Sequence, residues 1–163
     1  MEAAGSGDRA FIILAFAAAM GSGIVGGIFY GFSSFIMRAL GRLPPEHGAA
    51  AMKAINVAVI NPVFMLAFMG TALVCLALAG FSLPLLDGLP GKLALGGSLL
   101  YVTGCFGVTM AFNVTLNNAL ARAAPEQEAE LWARYLNVWT AWNTVRTVAS
   151  AMAAALFVAA LMV

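Results

Sequence analysis

The chain has 163 residues, of which 63% are hydrophobic and 9% are charged, and its formal net charge is +1. Soluble domains carry charge on roughly a quarter of their residues, so this composition argues against an ordinary soluble domain and predicts a membrane protein. A balance this close to neutral gives no sign of nucleic-acid binding, and the length predicts one domain, residues 1–163.

The first apolar segment predicts a membrane span over about residues 11–37. It contains no Asp or Glu and no Lys or Arg before Arg38, and it exceeds the roughly 20 residues that cross a bilayer core. Within it, Gly23, Gly27 and Gly31 stand four residues apart, a spacing that lets helices approach closely. We expect these glycines to pair helices within the bundle. A homo-oligomer interface, or a flat wall for a planar ligand, is the alternative.

The second charge-free run predicts a span over about residues 54–81. Asn56 and Asn61 lie in its first part. Asn61 precedes Pro62, and a proline inside a helix leaves the carbonyl four residues earlier, that of Ala58, without an amide partner. We therefore expect a kink that opens a pocket or offers this carbonyl to it.

The third charge-free run predicts a span over about residues 93–121. Asn113 and Asn117 stand at i and i+4, so a regular helix places both on one face. Asn118 is out of phase with Asn113, and we expect it to end the helix.

The last apolar stretch predicts a fourth span over about residues 135–163. Trp139, Trp142, Asn143 and Arg146 stand at i, i+3, i+4 and i+7. One stripe of this helix therefore carries two indoles, an amide and a guanidinium.

Four such segments with short loops predict an all-α fold, a transmembrane four-helix bundle of up-and-down topology. Because Lys and Arg are enriched in cytoplasmic loops, their distribution predicts the orientation of the bundle in the membrane. We expect the first and third loops in the cytoplasm and both termini outside an inner or plasma membrane. The basic residues counted are Arg38, Arg42, Lys53, Arg122 and Arg134 against Arg9 and Lys92 on the opposite side.

Amide and guanidinium groups at one depth of the bundle form the candidate site. In hydrocarbon such groups need hydrogen-bond partners, so they normally face a bundle interior or a cavity. The alternatives are asparagines that only join helices, an arginine that reaches the headgroups, and tryptophans of an interfacial belt. The group comprises Asn56, Asn61, Asn113, Asn117, Asn118, Asn143 and Arg146.

Metal and cofactor motifs are absent from the sequence. His47 is the one histidine, and there is no C-x-x-C or H-x-x-H motif. We expect no metal site and no cofactor. A haem with one axial ligand, or a quinone, stays open as an alternative.

Five segments of the chain form a distinctive pattern. They are Ala54-Ile55-Asn56, Asn61-Pro62-Val63-Phe64, Phe112-Asn113-Val114-Thr115-Leu116-Asn117-Asn118-Ala119-Leu120, Trp132-Ala133-Arg134-Tyr135 and Trp139-Thr140-Ala141-Trp142-Asn143-Thr144-Val145-Arg146-Thr147. The most specific parts are N-V-x-L-N-N and W-x-x-W-N-x-V-R. The pattern resembles the anthrone oxygenase-like family of small four-span membrane proteins. The family pattern often has Gln at the position of Lys53, Pro at Thr115 and His at Thr144.

The resemblance implies an oxygenase that converts an anthrone, phenol or related planar aromatic with molecular oxygen and no added cofactor. Catalysis would be electrostatic, since the amides and Arg146 can stabilise a developing anion between aromatic side chains. The expected catalytic residues are Asn113, Asn117, Asn143 and Arg146. The expected substrate-binding residues are Asn56, Asn61, Phe64, Trp139 and Trp142.

Two other classes of function fit the same polar pocket. A non-catalytic binding or accessory protein would hold a lipid, quinone or haem there without turnover. A small transporter is the weaker alternative, because no carboxylate lies within a predicted span to couple protons.

Overall fold

The chain folds almost wholly into helices. The structure, a computed structural model, describes residues 2–163, with side chains from Gly5 onward except that of Ser6. No strand occurs in this range. The helices are α1 (Glu2–Gly31), α2 (Met37–Leu40), α3 (Pro45–Ala58), α4 (Pro62–Ser82), α5 (Leu89–Leu99), α6 (Val114–Ala121) and α7 (Pro125–Met162).

Four continuous helical stretches are long and apolar enough to cross a membrane, which makes the chain a multi-pass membrane protein. The connection between the first two stretches contains α3, and short loops join the others. The stretches alternate in direction, so the bundle is up-and-down and α1 begins at the end where α7 finishes. The predicted all-α four-helix bundle is confirmed. The stretches are Gly7–Leu40, Pro62–Leu85, Leu89–Ala121 and Pro125–Met162.

The chain breaks its helix before Pro62 instead of kinking there. Asn61 is extended and caps α4, accepting a 3.0 Å hydrogen bond from the amide of Phe64 on its side-chain oxygen. Its side-chain nitrogen donates to the carbonyl of Ala58 at 2.9 Å, so the carbonyl at the end of α3 is satisfied locally. Proline suits the first position of a helix, where its missing N–H is not needed. The second span therefore begins at Pro62, and residues 54–58 belong to α3.

The helix α3 closes one end of the bundle. Its Gly48 lies against Trp132 of α7, where an added Cβ would be 2.8 Å from the indole ring. Met52 is buried in the same apolar cluster as Trp132 and Tyr135. This packing holds α3 over the ends of the spans near the first and third loops.

Two of the spans widen into π-helical segments. Phe32–Ile36 joins α1 to α2, and Leu100–Gly107 with Thr109–Asn113 joins α5 to α6. Hydroxyl groups add hydrogen bonds to backbone carbonyls there, as where Thr109 Oγ1 donates to the carbonyl of Cys105 at 2.7 Å. A π turn has more residues than an α turn, so it shifts the phase of the residues that follow.

Glycine brings the spans together at a different position from those that the spacing predicts. A Cβ on Gly26 would lie 3.1 Å from the Cβ of Ser150 on α7. Gly23 and Gly27 have no such neighbour within 4 Å, and the nearest atoms to Gly31 belong to its own π-helical segment. These three glycines therefore do not pair helices within the bundle. A homo-oligomer through that face stays a prediction.

Candidate functional site

A cavity of about 590 Å³ lies in the half of the bundle that carries the first and third loops. All four spans and α3 contribute to its wall, which is mainly apolar and aromatic. Among the described residues that form this wall there is no Asp, Glu or His. The polar wall residues are Lys53, Asn56, Thr109, Asn117, Asn118 and Arg146.

Arg146 is the buried charge of this cavity. Its side chain is 4% exposed, and its carbon Cζ lies 3.9 Å from the centroid of the Phe29 ring and 5.2 Å from that of Trp139. Its Nη2 donates to Asn143 Oδ1 at 2.6 Å, and its Nη1 donates to Thr109 Oγ1 at 3.1 Å. All of these partners are neutral.

No carboxylate balances the charge of Arg146. Within the described part of the chain, the one ion pair joins Lys53 and Glu128, and Arg146 Nε is buried without a hydrogen-bond partner. Taking a guanidinium out of water costs several kcal/mol, which a cation–π contact and neutral acceptors offset only in part. The cavity therefore presents an uncompensated positive charge to whatever occupies it.

Asn143 positions Arg146 but does not line the cavity. Its oxygen accepts from the guanidinium, while its nitrogen donates to the carbonyl of Phe29 and to Ser33 Oγ, both at 2.7 Å. The side chain is fully buried. Asn143 thus fixes the guanidinium of α7 to the first span.

Asn117 lies in the cavity wall with its amide orientation fixed. Its Oδ1 accepts hydrogen bonds from the Tyr135 hydroxyl at 2.6 Å and from Trp139 Nε1 at 2.8 Å. An amide oxygen has two lone pairs, so both are used. The side-chain nitrogen is then the end that Asn117 can offer to a ligand as a donor.

Asn113 faces α7 instead of the cavity. Its nitrogen donates to the carbonyl of Trp139 at 3.2 Å, and its buried oxygen has no partner. Asn113 and Asn117 both bond to Trp139, so they share the face of the helix that their spacing predicts, and at Asn113 that face is covered by α7. We therefore treat Asn113 as a contact between helices.

The two tryptophans of α7 do not face each other across a ligand. Trp139 lines the cavity and is stacked with Tyr135 at 5.7 Å between ring centroids. Trp142 lies outside the wall, stacked on Phe112 at 3.8 Å with an angle of 4° between the rings. The expected sandwich by both indoles is therefore not formed, and Trp142 is left out of the proposed site.

Other expected site residues divide between the wall and the exterior. Asn56 and Phe64 line the cavity, and so does Asn118. Asn61 is exposed and is occupied in capping α4. We therefore leave Asn61 out of the proposed site as well.

Sequence reasoning missed Phe29, Lys53 and Thr109 as wall residues. Phe29 lies on the first span and contacts Arg146 on the fourth. The spacing of residues within one helix cannot predict a contact between residues so far apart in the chain. Thr109 follows the π-helical segment Leu100–Gly107, so the face of the helix on which it lies differs from the one that a regular α-helix predicts. Lys53 could have been suspected, since it stands three residues before Asn56 and so lies on the same face of α3.

Comparison with known proteins gives one match. A family model described as anthrone oxygenase matches residues 63–156, more than half of the chain. The matched range includes Asn117, Trp139 and Arg146, and it excludes Lys53 and Asn56. No curated protein and no solved structure matches the chain.

Proposed function

Because the chain belongs to the anthrone oxygenase family, we propose that it oxidises a planar phenol or anthrone with molecular oxygen in the cavity beside Arg146. The observation that carries the proposal is the buried guanidinium of Arg146, which has no carboxylate partner within the described chain and lines a cavity with aromatic walls. The site therefore suits a flat ligand that becomes an anion.

Binding would place the ring against aromatic side chains. Phe64 and Phe68 are stacked at 5.8 Å on one side of the cavity, and Trp139 belongs to another part of its wall. A volume of about 590 Å³ lies within the range of roughly 300–1,000 Å³ that is usual for small-molecule pockets. A three-ring aromatic is compatible with that space.

Charge stabilisation would supply the catalysis. An anthrone would give up a proton of its methylene carbon to a water molecule and become an enolate. The enolate oxygen would accept hydrogen bonds from Arg146 and from the amide nitrogen of Asn117. Such fixed donors in a site without bulk water stabilise a developing oxyanion strongly. The enolate would be the species that reacts with oxygen.

The oxidation then balances without a further reactant. One electron passes from the enolate to O₂, and the resulting carbon radical and superoxide combine, so that a C–O bond forms. The peroxide takes up a proton and then eliminates water, which breaks the O–O bond and the second C–H bond and leaves a carbonyl. Anthrone and O₂ give anthraquinone and water, and no cofactor is required.

Oxygen labelling tests the proposal. With ¹⁸O₂ and an anthrone, the purified protein should produce an anthraquinone with one labelled oxygen, faster than the spontaneous reaction in the same detergent. The variant Arg146→Gln is the matched control. A rate equal to the protein-free rate would reject the oxygenase function.

A second candidate is a protein that binds an anionic lipid, a quinone or a haem without turnover. The observation that favours it is the wall without Asp, Glu or His among its described residues, because such a cavity contains no conventional proton acceptor. His47 is exposed on α3 and outside the wall, so it is not placed to ligate a haem there. Native mass spectrometry and the visible spectrum of the purified protein would identify such a ligand.

The orientation proposed from the loops places the cavity in the cytoplasmic half of an inner or plasma membrane. The first and third loops lie at the cavity end, and they contain the larger number of Lys and Arg residues. Both termini would then be outside. Accessibility labelling of single cysteines introduced at Arg42 and at Asp87 tests this orientation, since these exposed residues lie at opposite ends of the bundle.

A further inference from the structure

The second and third spans pack closely in one half of the bundle and separate in the half that carries the cavity. In the closed half, α4 contacts α5 and the π-helical segment Leu100–Gly107. The Tyr101 hydroxyl donates to the carbonyl of Phe68 at 3.1 Å, and the rings of Phe68 and Phe106 are 5.3 Å apart. Beyond Phe106, α4 makes no comparable set of contacts with the rest of the third span, either with Thr109–Asn113 or with α6. A slit therefore lies between the junction of α3 with α4 and the third span from Met110 onward.

The residues along this slit are exposed and mostly apolar. Met110 of the third span is 52% exposed, and Val57 and Ile60 on the approach to α4 are 75% and 73% exposed. All three also line the cavity. Met110 lies roughly 15 Å from the end of its span at helical rise, which is the depth of acyl chains. The slit thus opens towards lipid.

Charge inside the cavity limits what can enter from lipid. Arg146 is deeply buried and has no acidic partner among the described residues, whereas Lys53 is paired with Glu128. One positive charge thus remains for a ligand to neutralise. Arg146 is buried inside the cavity, whereas Val57, Ile60 and Met110 at the slit are exposed and apolar. The ligand must therefore carry its acidic group inward and its apolar part outward.

We propose that the cavity is filled from the bilayer through this slit, between the α3–α4 junction and the third span, by an amphiphile with one acidic oxygen and an apolar body. The proposal rests on the ligand site of the proposed function but on none of its oxidation chemistry. The ligand class is a membrane-dissolved phenol, enol or carboxylic acid. This ligand class excludes polar metabolites that are dissolved in water.

A brominated phenol tests this proposal under argon, where oxidation cannot occur. The probe is 2,6-dibromo-4-dodecylphenol, whose bromines lie beside the acidic oxygen and should quench the fluorescence of Trp139 in the cavity. Protein in phosphatidylcholine vesicles should show saturable quenching that the variant Trp139→Phe loses. The methyl ether of the probe lacks the acidic oxygen and should bind about tenfold or more weakly, as expected when a charge-assisted hydrogen bond is lost.

The route is tested by the rate of quenching. The double variant Val57→Phe/Ile60→Phe adds bulk at two slit residues and should slow the association of the long-chain probe about tenfold. Ile28→Phe is the matched control, because Ile28 is an exposed wall residue on α1. Leu73→Phe, on the exposed surface outside the wall, controls for effects on the bundle.

The outcomes separate this proposal from the oxygenase function. An unchanged rate in the double variant, or equal slowing by Ile28→Phe, would overturn entry through the slit. Equal binding of the phenol and its methyl ether would overturn the acidic ligand class. Specific quenching without any oxygen uptake by an anthrone would leave this proposal standing while the oxygenase function failed.

Discussion

Arg146 and Asn143 lie one turn apart on α7, and the guanidinium Nη2 donates a 2.6 Å hydrogen bond to the amide Oδ1. The partner of this buried cation is thus a neutral amide where many proteins have a carboxylate. Because the amide leaves the positive charge uncompensated, an anionic ligand can supply the missing charge.

Replacing that amide by a carboxylate tests whether the missing charge matters. Asn143→Asp gives Arg146 an internal counter-ion in the same position, so the affinity for an anionic phenol should fall about tenfold or more. Asn143→Ala removes the contact without adding charge and should weaken phenol binding less. Probe quenching in both variants makes the comparison, and equal affinities would contradict the charge argument.

Asn117 should matter for stability as well as for binding. Asn117→Ala leaves the Tyr135 hydroxyl and the Trp139 indole N–H without their shared acceptor, and each buried unpaired group costs about 1–3 kcal/mol. Tyr135→Phe removes only one donor and leaves the acceptor in use. Thermal unfolding in detergent should therefore show a larger loss for Asn117→Ala than for Tyr135→Phe.

Thr109 offers a test with a closely matched control. Its Oγ1 donates to a backbone carbonyl and accepts from Arg146 Nη1. Thr103 makes the same bond to the carbonyl of Leu99 but lies outside the cavity wall. Thr109→Val should weaken binding of the brominated phenol about threefold to tenfold, the effect of one hydrogen bond. Thr103→Val should leave the binding unchanged, and the same loss in both would show that only the helix geometry was affected.

The sequence predicts that there are four spans, because length and lack of charge are physical requirements of the bilayer. It also predicts which face of α7 is buried, since this helix is regular over Trp139, Asn143 and Arg146, and all three are buried. The same reasoning applies less well to the third span. There Asn113 and Asn117 share one face, but both bond to Trp139 of α7, and Asn113 does not reach the cavity, whereas Asn118 does.

Contacts between distant segments could not be predicted from one sequence. The ring of Phe29 lies under Arg146 because α1 and α7 pack side by side, and nothing in the spacing of either helix specifies that pairing. The pair Asn61-Pro62 is compatible with two structures, a new helix that Asn61 caps and a single helix that is kinked at the proline. Packing of α3 against Trp132 decides between them.

The oxygen-uptake rate of Arg146 variants tests the central claim most directly. With an anthrone, the wild type should consume oxygen and form anthraquinone in equal amounts. Arg146→Gln should lose about 10²-fold or more in turnover, as expected when an oxyanion donor is removed, and Arg146→Lys should also be impaired because the planar fork is lost. Melting curves for both variants should show that the bundle is intact. Full turnover by the folded Arg146→Gln protein would contradict the account.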